Sequence, residues 1–373
     1  MMSVILQFVS VTVIFSFVYL GLRMERWWGL SRLYISPPLA GGIIGAFLLS
    51  IGFFATGFFW TPSEQVTHWL VTSFLFFIGV KIGCIYTKRH ILVMGIFLLI
   101  TVVPMLLLEG LAWFFFRGYP LFREWIGTST LAWNPEWIEH IQAILPVSGN
   151  VQVVSQTTLL IVFLISPFVI RLMQTFSPPD SGVQTRNAIK IWNLSAFVLH
   201  VTITGVALWL KHTWFSSFLF VFDYVISMLI GVMFGVWLRK TGWEKKHHFL
   251  QTVQQMGTLS LYGFIVAMML GATAAILTHG TMAVTAILMI KIIVISILFI
   301  WLARKWAKNH RRLVLLSACW SFTLSAPVAC MNAMRSVTDR HGEADNVLLI
   351  VPPVVLWLMN YPHYALFTWL YRF

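Results

Sequence analysis

Apolar runs as long as a bilayer is thick recur along the whole chain, and they constrain its fold more than any other feature. Each run holds roughly 20 residues, enough for a helix to cross a hydrocarbon core of about 30 Å. Only α-helices and closed barrels satisfy every backbone hydrogen bond there, and continuous rather than alternating apolar runs favour helices. Only 10% of the residues are charged, far fewer than in soluble domains. The sequence therefore predicts an all-α polytopic membrane protein.

Eleven apolar segments divide the chain, and the charges between them indicate an orientation. The segments are residues 4–21, 35–56, 66–86, 90–116, 143–173, 188–211, 216–237, 254–277, 281–303, 313–334 and 346–370. Lys and Arg cluster after the first, third, fifth, seventh and ninth segments; such loops stay cytoplasmic, which places the N-terminus outside. If segment 313–334 enters and returns on one side, the chain has ten spans and an external C-terminus. If it crosses, there are eleven. We favour ten spans with two re-entrant elements.

Several function classes are disfavoured by the composition. The net charge of +13 would suggest a nucleic-acid partner for a soluble protein, but here the basic residues lie between apolar segments. We interpret them as orientation signals and expect no nucleic-acid binding. The three cysteines lie in or at the edge of apolar runs, which is typical of packing and not of a disulfide framework. No metal site is predicted. Without a nucleophile–base motif, phosphate-binding loop or nucleotide fingerprint, we expect neither an enzyme nor a bound cofactor.

Two of the apolar segments, 143–173 and 313–334, carry more hydroxyl and amide side chains than a lipid-facing helix can use. Such segments suit broken or re-entrant helices that line a cavity in a membrane protein. Hydrogen bonds between neighbouring helices would explain the same side chains equally well. The polar residues that we predict to line a solute or ion site are Ser148, Asn150, Gln152, Gln156, Ser325 and Asn332.

The order of the segments suggests a two-fold repeat, with residues 1–178 as one membrane unit and 179–373 as the other. An odd number of spans in each half would invert the second copy, and inverted repeats with paired broken helices are typical of secondary transporters. Chance recurrence of a helix-packing motif is the alternative. The glycines that match between the halves are Gly41 with Gly231, Gly45 with Gly235, and Gly79 with Gly271.

Lys291 is the most informative single residue, because it lies near the middle of an apolar segment. A charge at the bilayer centre costs about 3 kcal/mol on insertion scales and indicates a functional site. Snorkelling is the alternative, but the residue lies more than about 10 Å from either end of the segment. Glu109, in the fourth segment, lies at a similar depth, and we hypothesise an interior Lys291–Glu109 ion pair. Otherwise Glu109 faces the outer water.

Five short stretches, in order along nearly the whole chain, are similar to motifs of one protein family. They are residues 35–42 (ISPPLAGG), 76–79 (FFIG), 257–261 (GTLSL), 333–342 (AMRSVTDRHG) and 351–352 (VP). They resemble the bacterial sodium:glutamate symporters, whose third span, Gly-Asn-Val-Ser-Leu motif and Asn-Met-Gln-(small)-(aliphatic)-Thr-Glu-Arg-Phe-Gly loop they match most closely. The resemblance implies two inverted five-span halves with two opposed re-entrant elements. It also implies symport of glutamate with sodium.

The two re-entrant elements depart from the family pattern. The family's first element carries Gly-Gly-His-Gly-Thr-Gly, where this chain has only residues 148–150 (SGN). Its second carries Gly-His-Cys-Gly-Phe-Gly-Leu-Gly-Ala-Thr-Pro. Here residues 317–327 (SACWSFTLSAP) keep the Cys and Pro but none of the family's glycines. The resemblance places the family's Asn of that element at Asn332 or Ala333, and its last-span Asp at Asn360. These departures leave the substrate and the coupling ion open.

From residues and resemblance together we predict a secondary active transporter of a small anionic solute, a glutamate-like amino acid or carboxylate. It is expected as a multi-pass protein of the bacterial cytoplasmic membrane, in contact with lipid and compatible with a homodimer. Na⁺ would be a coupling ion; alternatively, the Lys291 ammonium takes the place of a cation, and transport needs protons or no coupling ion. Arg335 is a candidate carboxylate ligand or a topology charge. The rival interpretation is a transport-inactive relative that senses a ligand or serves a membrane partner.

Overall fold

The computed structural model describes residues 2–57, 60–85, 88–116, 151–176, 223–242, 247–279, 282–324, 327–342 and 344–360. Within these ranges the chain forms α-helices and no strands, which agrees with the predicted all-α class. A 3-10 helix (Leu30–Leu33) connects α1 to α2. The α-helices are α1 (Met2–Trp28), α2 (Pro37–Thr56), α3 (Glu64–Ile85), α4 (Lys88–Phe116), α5 (Val151–Gln174), α6 (Asp223–Lys240), α7 (His247–His279), α8 (Met282–Trp306), α9 (His310–Thr323), α10 (Pro327–His341) and α11 (Asp345–Asn360).

In the described ranges, five helices are long and apolar enough to cross a membrane. Their spanning parts are Ile5–Trp28, Pro37–Thr56, Glu64–Ile85, Gln156–Gln174 and Thr252–Leu277. α3 and α7 are mostly buried inside the protein, whereas α1 and α2 leave most of their residues at its surface. The fold is therefore that of a multi-pass membrane protein with a central pair of helices surrounded by others.

Helix ends follow the local sequence. α2 begins with Pro37 and Pro38, whose fixed φ angles suit the first helical turn, where no N–H is needed. It ends at Gly57, which adopts a left-handed conformation (φ 68°) and donates its N–H to Phe53 O at 2.8 Å. Inside α5, Pro167 cannot donate to the carbonyl of Phe163, and the Ser166 hydroxyl donates to that carbonyl instead, at 3.0 Å. α5 therefore continues through its proline.

α3 and α6 cross at close range through glycines. A Cβ added to Gly79 would lie 2.2 Å from the carbonyl oxygen of Met228, and one added to Gly231 would lie 2.3 Å from that of Phe76. The backbones of the two helices thus touch directly, as in other small-residue crossings in membranes. Gly271, which the sequence pairs with Gly79, behaves differently. A Cβ there would meet no atom of a neighbouring element within 4 Å in the described part.

The polar segment 313–334 forms two short helices, α9 and α10, that pack against each other. They have 14 and 15 residues. At 1.5 Å per residue each is about 21 to 23 Å long, shorter than a bilayer core. The far end of α10 lies beside the loop between α1 and α2, where Arg340 Nη1 donates to Arg32 O at 2.6 Å. Both loops are cytoplasmic in the ten-span topology, so this contact is the one expected if the hairpin enters and returns.

Candidate functional site

The hydroxyl and amide side chains of the α9–α10 hairpin face the protein interior and not lipid. Ser317, Ser321, Thr323, Asn332 and Ser336 are all buried. Three of the hydroxyls are satisfied within the hairpin, each donating to a carbonyl one turn earlier. The other two residues, Ser321 and Asn332, each carry a polar atom that has no hydrogen-bond partner in the described part of the chain.

Asn332 lies where the hairpin meets the beginning of α2. Ser36 Oγ donates to Asn332 Oδ1 at 2.5 Å, and both residues are fully buried. The Nδ2 atom of Asn332, with two N–H donors, has no partner among the described residues. A buried donor without a partner costs about 1–3 kcal/mol, and each such group requires an explanation. A bound ligand that accepts from Nδ2 would supply one.

Gln156, on α5, carries a third buried polar atom of this kind, Oε1. α5 packs against α7, α8, α9 and α10, so it borders the hairpin directly. The neighbouring Thr157 and Thr158 are buried too, but their hydroxyls donate to Val153 O and Val154 O. Gln156 is thus the predicted site residue on α5 for which the described part of the chain leaves an acceptor unused.

Lys291 is fully buried on the interior face of α8. Its exposed fraction is 1%, whereas the flanking Ile290 and Ile293 are 59% and 52% exposed. The lysine shares its face with buried residues such as Leu288 and Ile295, and this face packs on α5 and α9. Snorkelling to the membrane surface is therefore excluded for this side chain, because its ammonium is enclosed by protein.

Trp320 fixes the hairpin to α8 on one side. Its indole Nε1 donates to Ser296 Oγ at 3.0 Å, and both side chains are buried. On the other side, the rings of Phe322 and Phe97 of α4 lie with centroids 5.6 Å apart. α9 is therefore wedged between α4 and α8 by aromatic side chains. Trp320 occupies a position where glycine is typical of the family that the sequence resembles.

Arg335 already has a carboxylate partner on its own helix. Its Nε lies 3.2 Å from Asp339 Oδ1 and donates to the Tyr262 hydroxyl at 3.3 Å. The same hydroxyl donates to Asp339 Oδ2 at 3.4 Å, and the guanidinium carbon lies 5.7 Å from the Tyr262 ring centre. These contacts join Arg335 of α10 to Tyr262 of α7. The sequence carries a signal for the pair, because Arg and Asp four residues apart lie on one helix face.

A second polar cluster joins three elements at the predicted cytoplasmic end. His341 Nε2 lies within hydrogen-bonding distance of the Tyr34 hydroxyl, at 2.9 Å, and of Gln174 Nε2, at 3.2 Å. Burial raises the pKa of the Tyr34 phenol well above its usual value, although Arg340 and Arg171 lower it in part. The phenol therefore keeps its proton at physiological pH and can donate to His341. The cluster ties α10 to α5 and to the loop before α2.

The hairpin, α6 to α8 and the end of α5 lie in the part of the chain that a known family covers. Residues 174–343 match the family model described as sodium/glutamate symporter. This match, over a little under half of the chain, supports membership of the sodium/glutamate symporter family. No curated protein and no solved structure matches it. That family consists of transporters and not of enzymes, and it uses sodium as a coupling ion and not as a bound cofactor.

The structure brings some of the predicted site residues together. Two of them, Asn332 and Arg335, lie in the hairpin itself, on α10. Gln156 lies on α5 and Lys291 on α8, and both of these helices pack against the hairpin. Glu109 lies on α4 and Gln152 on α5, but their side chains fall outside the described part, so the Lys291–Glu109 pair stays a prediction. Ser36 is the residue that the sequence reasoning missed. Ser148, Asn150 and Ser325 lie outside the described residues.

Replacing Asp339 by asparagine is expected to lower the protein's free energy of unfolding by about 1–3 kcal/mol, because it takes the carboxylate from a largely buried guanidinium. The Asp339 side chain is 2% exposed and that of Arg335 13%. Tyr262→Phe removes only one hydroxyl from the same cluster and serves as the milder control. Thermal unfolding in detergent measures both. Equal midpoints for Asp339→Asn and the unaltered protein would show that the ion pair contributes nothing.

Proposed function

We propose that this protein is a secondary active transporter of a small anionic solute, a glutamate-like amino acid or another carboxylate, and that the solute binds at the α9–α10 hairpin. The observation that carries the proposal is the buried Asn332, which offers an unused amide where the hairpin meets α2. Gln156 and Ser321, on the same group of helices, offer further polar atoms that have no partner among the described residues. The hairpin also lies within the segment that matches the family.

The coupling ion follows from the role of Lys291. Lys291 is 1% exposed, and its helix α8 packs against α5 and α9. Its ammonium can therefore supply a positive charge in the interior of the protein. We propose that its ammonium occupies the place of a coupling cation, so that uptake does not require sodium and either uses protons or runs uncoupled. Sodium coupling, as in the family, is the alternative that the experiment below separates from it.

We infer that the chain consists of two inverted copies, residues 1–178 and 179–373. Two features of the packing support this. α3, the third helix of the first half, packs on α6, and α7, the corresponding helix of the second half, packs on α2. Likewise α4 packs on α9 while α8 packs on α5. These pairs exchange if the halves exchange, as a two-fold axis in the membrane plane requires. A cytoplasmic-membrane location and a homodimer stay predictions.

A transport-inactive sensor is the second candidate, and Trp320 is the observation that favours it. The indole is fully buried and bonded to Ser296 of α8, where the family's pattern has a glycine with no side chain. A tryptophan held in this way resists sliding of the hairpin against α8. If the hairpin must move during transport, the residue slows or stops it, while solute binding remains.

Uptake by the purified protein in liposomes tests these proposals. Radiolabelled glutamate and aspartate are supplied with a sodium gradient, with a proton gradient, and with neither. We expect uptake that persists without sodium. Uptake that is fully sodium-dependent would refute the lysine-for-cation proposal and leave the transporter proposal intact. Folded protein that takes up neither amino acid, under any gradient, would favour another carboxylate or the sensor.

A further inference from the structure

The first turn of α2 is buried inside the protein, which is unusual for the beginning of a helix. Ser36, Pro37, Pro38 and Leu39 are all buried. α2 has 20 residues, so its start carries the equivalent of roughly half a positive charge from the aligned peptide dipoles. In water this end would be solvated, whereas in the interior it requires a negative or electron-rich group.

Ser36 does not cap this end in the usual way. Ser36 occupies the N-cap position with an extended backbone (φ −71°, ψ 153°), yet its hydroxyl accepts no hydrogen bond from the first turn. Pro37 and Pro38 have no N–H to donate, so Leu39 is the first residue of the helix that has one. The Ser36 hydroxyl is directed to Asn332 Oδ1 instead. The positive end of α2 is thus left without a serine cap.

The carboxamide of Asn332 adds a second, independent source of donors at the same place. Because Oδ1 accepts from Ser36, the Nδ2 group is held beside the beginning of α2. Asn332 is fully buried, and Nδ2 has no partner in the part of the chain that the structure describes. Amide N–H donors and a positive helix end both favour an anion and disfavour a cation. A planar carboxylate offers two acceptor oxygens to such a group of donors.

We propose that the beginning of α2 and the carboxamide of Asn332 form the subsite for a carboxylate group of the transported solute. The inference rests on the proposed function and names the chemical group that the hairpin site recognises. Asn332 is the binding residue. Ser36 is a positioning residue, since its hydroxyl engages Oδ1 and leaves both Nδ2 donors for the ligand. Solutes in which this carboxylate is replaced by an amide are expected to bind weakly.

Glutamate binding and uptake in matched variants test the subsite. Binding is followed as thermal stabilisation of the purified full-length protein by glutamate, and uptake as KM and maximal rate in liposomes. Ser36→Ala is expected to raise the KM about tenfold with little change in maximal rate, as loss of one positioning hydrogen bond would. Ser36→Thr keeps the hydroxyl and should restore binding. Asn332→Asp puts an oxygen in place of Nδ2 and should weaken binding at least a hundredfold.

Ser50→Ala is the control, because Ser50 lies on the same helix and donates only to Ala46 O. It should leave the KM unchanged. Wild-type binding that survives in Ser36→Ala and in folded Asn332→Asp would overturn the subsite. So would substitutions that change the dependence on sodium and not on glutamate, because the site would then hold a cation. Glutamate that stabilises the protein through these residues without being taken up would support the subsite while refuting the transporter proposal.

Discussion

Replacing Gly231 by alanine is expected to destabilise the protein, whereas the same replacement at Gly271 should leave its stability unchanged or raise it. At Gly231 the new methyl group would lie 2.3 Å from Phe76 O and 3.1 Å from Val80 N. Both are backbone atoms, so no rotamer change relieves the overlap and α3 and α6 must move apart. Overpacking of this kind costs about 1–3 kcal/mol, and loss of the close crossing adds to it.

Gly271 is the matched control because it lies inside α7 and a Cβ there meets no atom of a neighbouring element within 4 Å in the described part. Alanine is a better helix former than glycine by up to about 1 kcal/mol, so Gly271→Ala should keep or raise the free energy of unfolding. Thermal unfolding of both variants in detergent measures the difference. Equal shifts in the two variants would show that α3 and α6 do not touch backbone to backbone.

The helices were predictable from hydropathy wherever the bilayer alone sets their ends. Segment 35–56 became α2 (Pro37–Thr56), and segment 281–303 became α8 (Met282–Trp306). The α7 helix (His247–His279) extends well beyond its apolar segment, 254–277. Hydropathy marks where a helix leaves the hydrocarbon, but a helix continues into water as long as its residues favour it. The break in segment 313–334 was foreseen from its polar content and lies next to Pro327, which fits the start of a helix.

The site was only partly predictable, because a sequence identifies polar residues in apolar segments but not which of them meet. Asn332 was predicted as a ligand, and its buried Nδ2 is consistent with that role. Ser36 was seen only as part of a motif at the start of α2. Its signal was a serine followed by two prolines, neither of which has an N–H to donate to the serine hydroxyl. Its bond to Asn332, almost 300 positions away in the chain, is a product of the tertiary fold.

Replacing Lys291 by methionine is expected to have the largest effect on transport, lowering sodium-independent uptake of glutamate at least a hundredfold. Methionine keeps most of the volume of the side chain but removes the ammonium from a position that is 1% exposed. If that charge takes the place of a coupling cation, its loss leaves an interior site that only an added cation can fill. Uptake should then cease, or return only with sodium. Lys305→Met, an exposed change on the same helix, is the control.

The same substitution tests the proposed pair with Glu109. Removing one partner from a buried ion pair costs about 3–5 kcal/mol, because the other charge is left unpaired in the low-dielectric interior of the protein. Lys291→Met and Glu109→Gln should therefore each lower the unfolding midpoint, and the double variant should recover most of the loss. Additive losses in the double variant would refute the pair without touching the role of Lys291 in coupling. Full sodium-independent uptake by Lys291→Met would refute that role, because transport would then not depend on the ammonium.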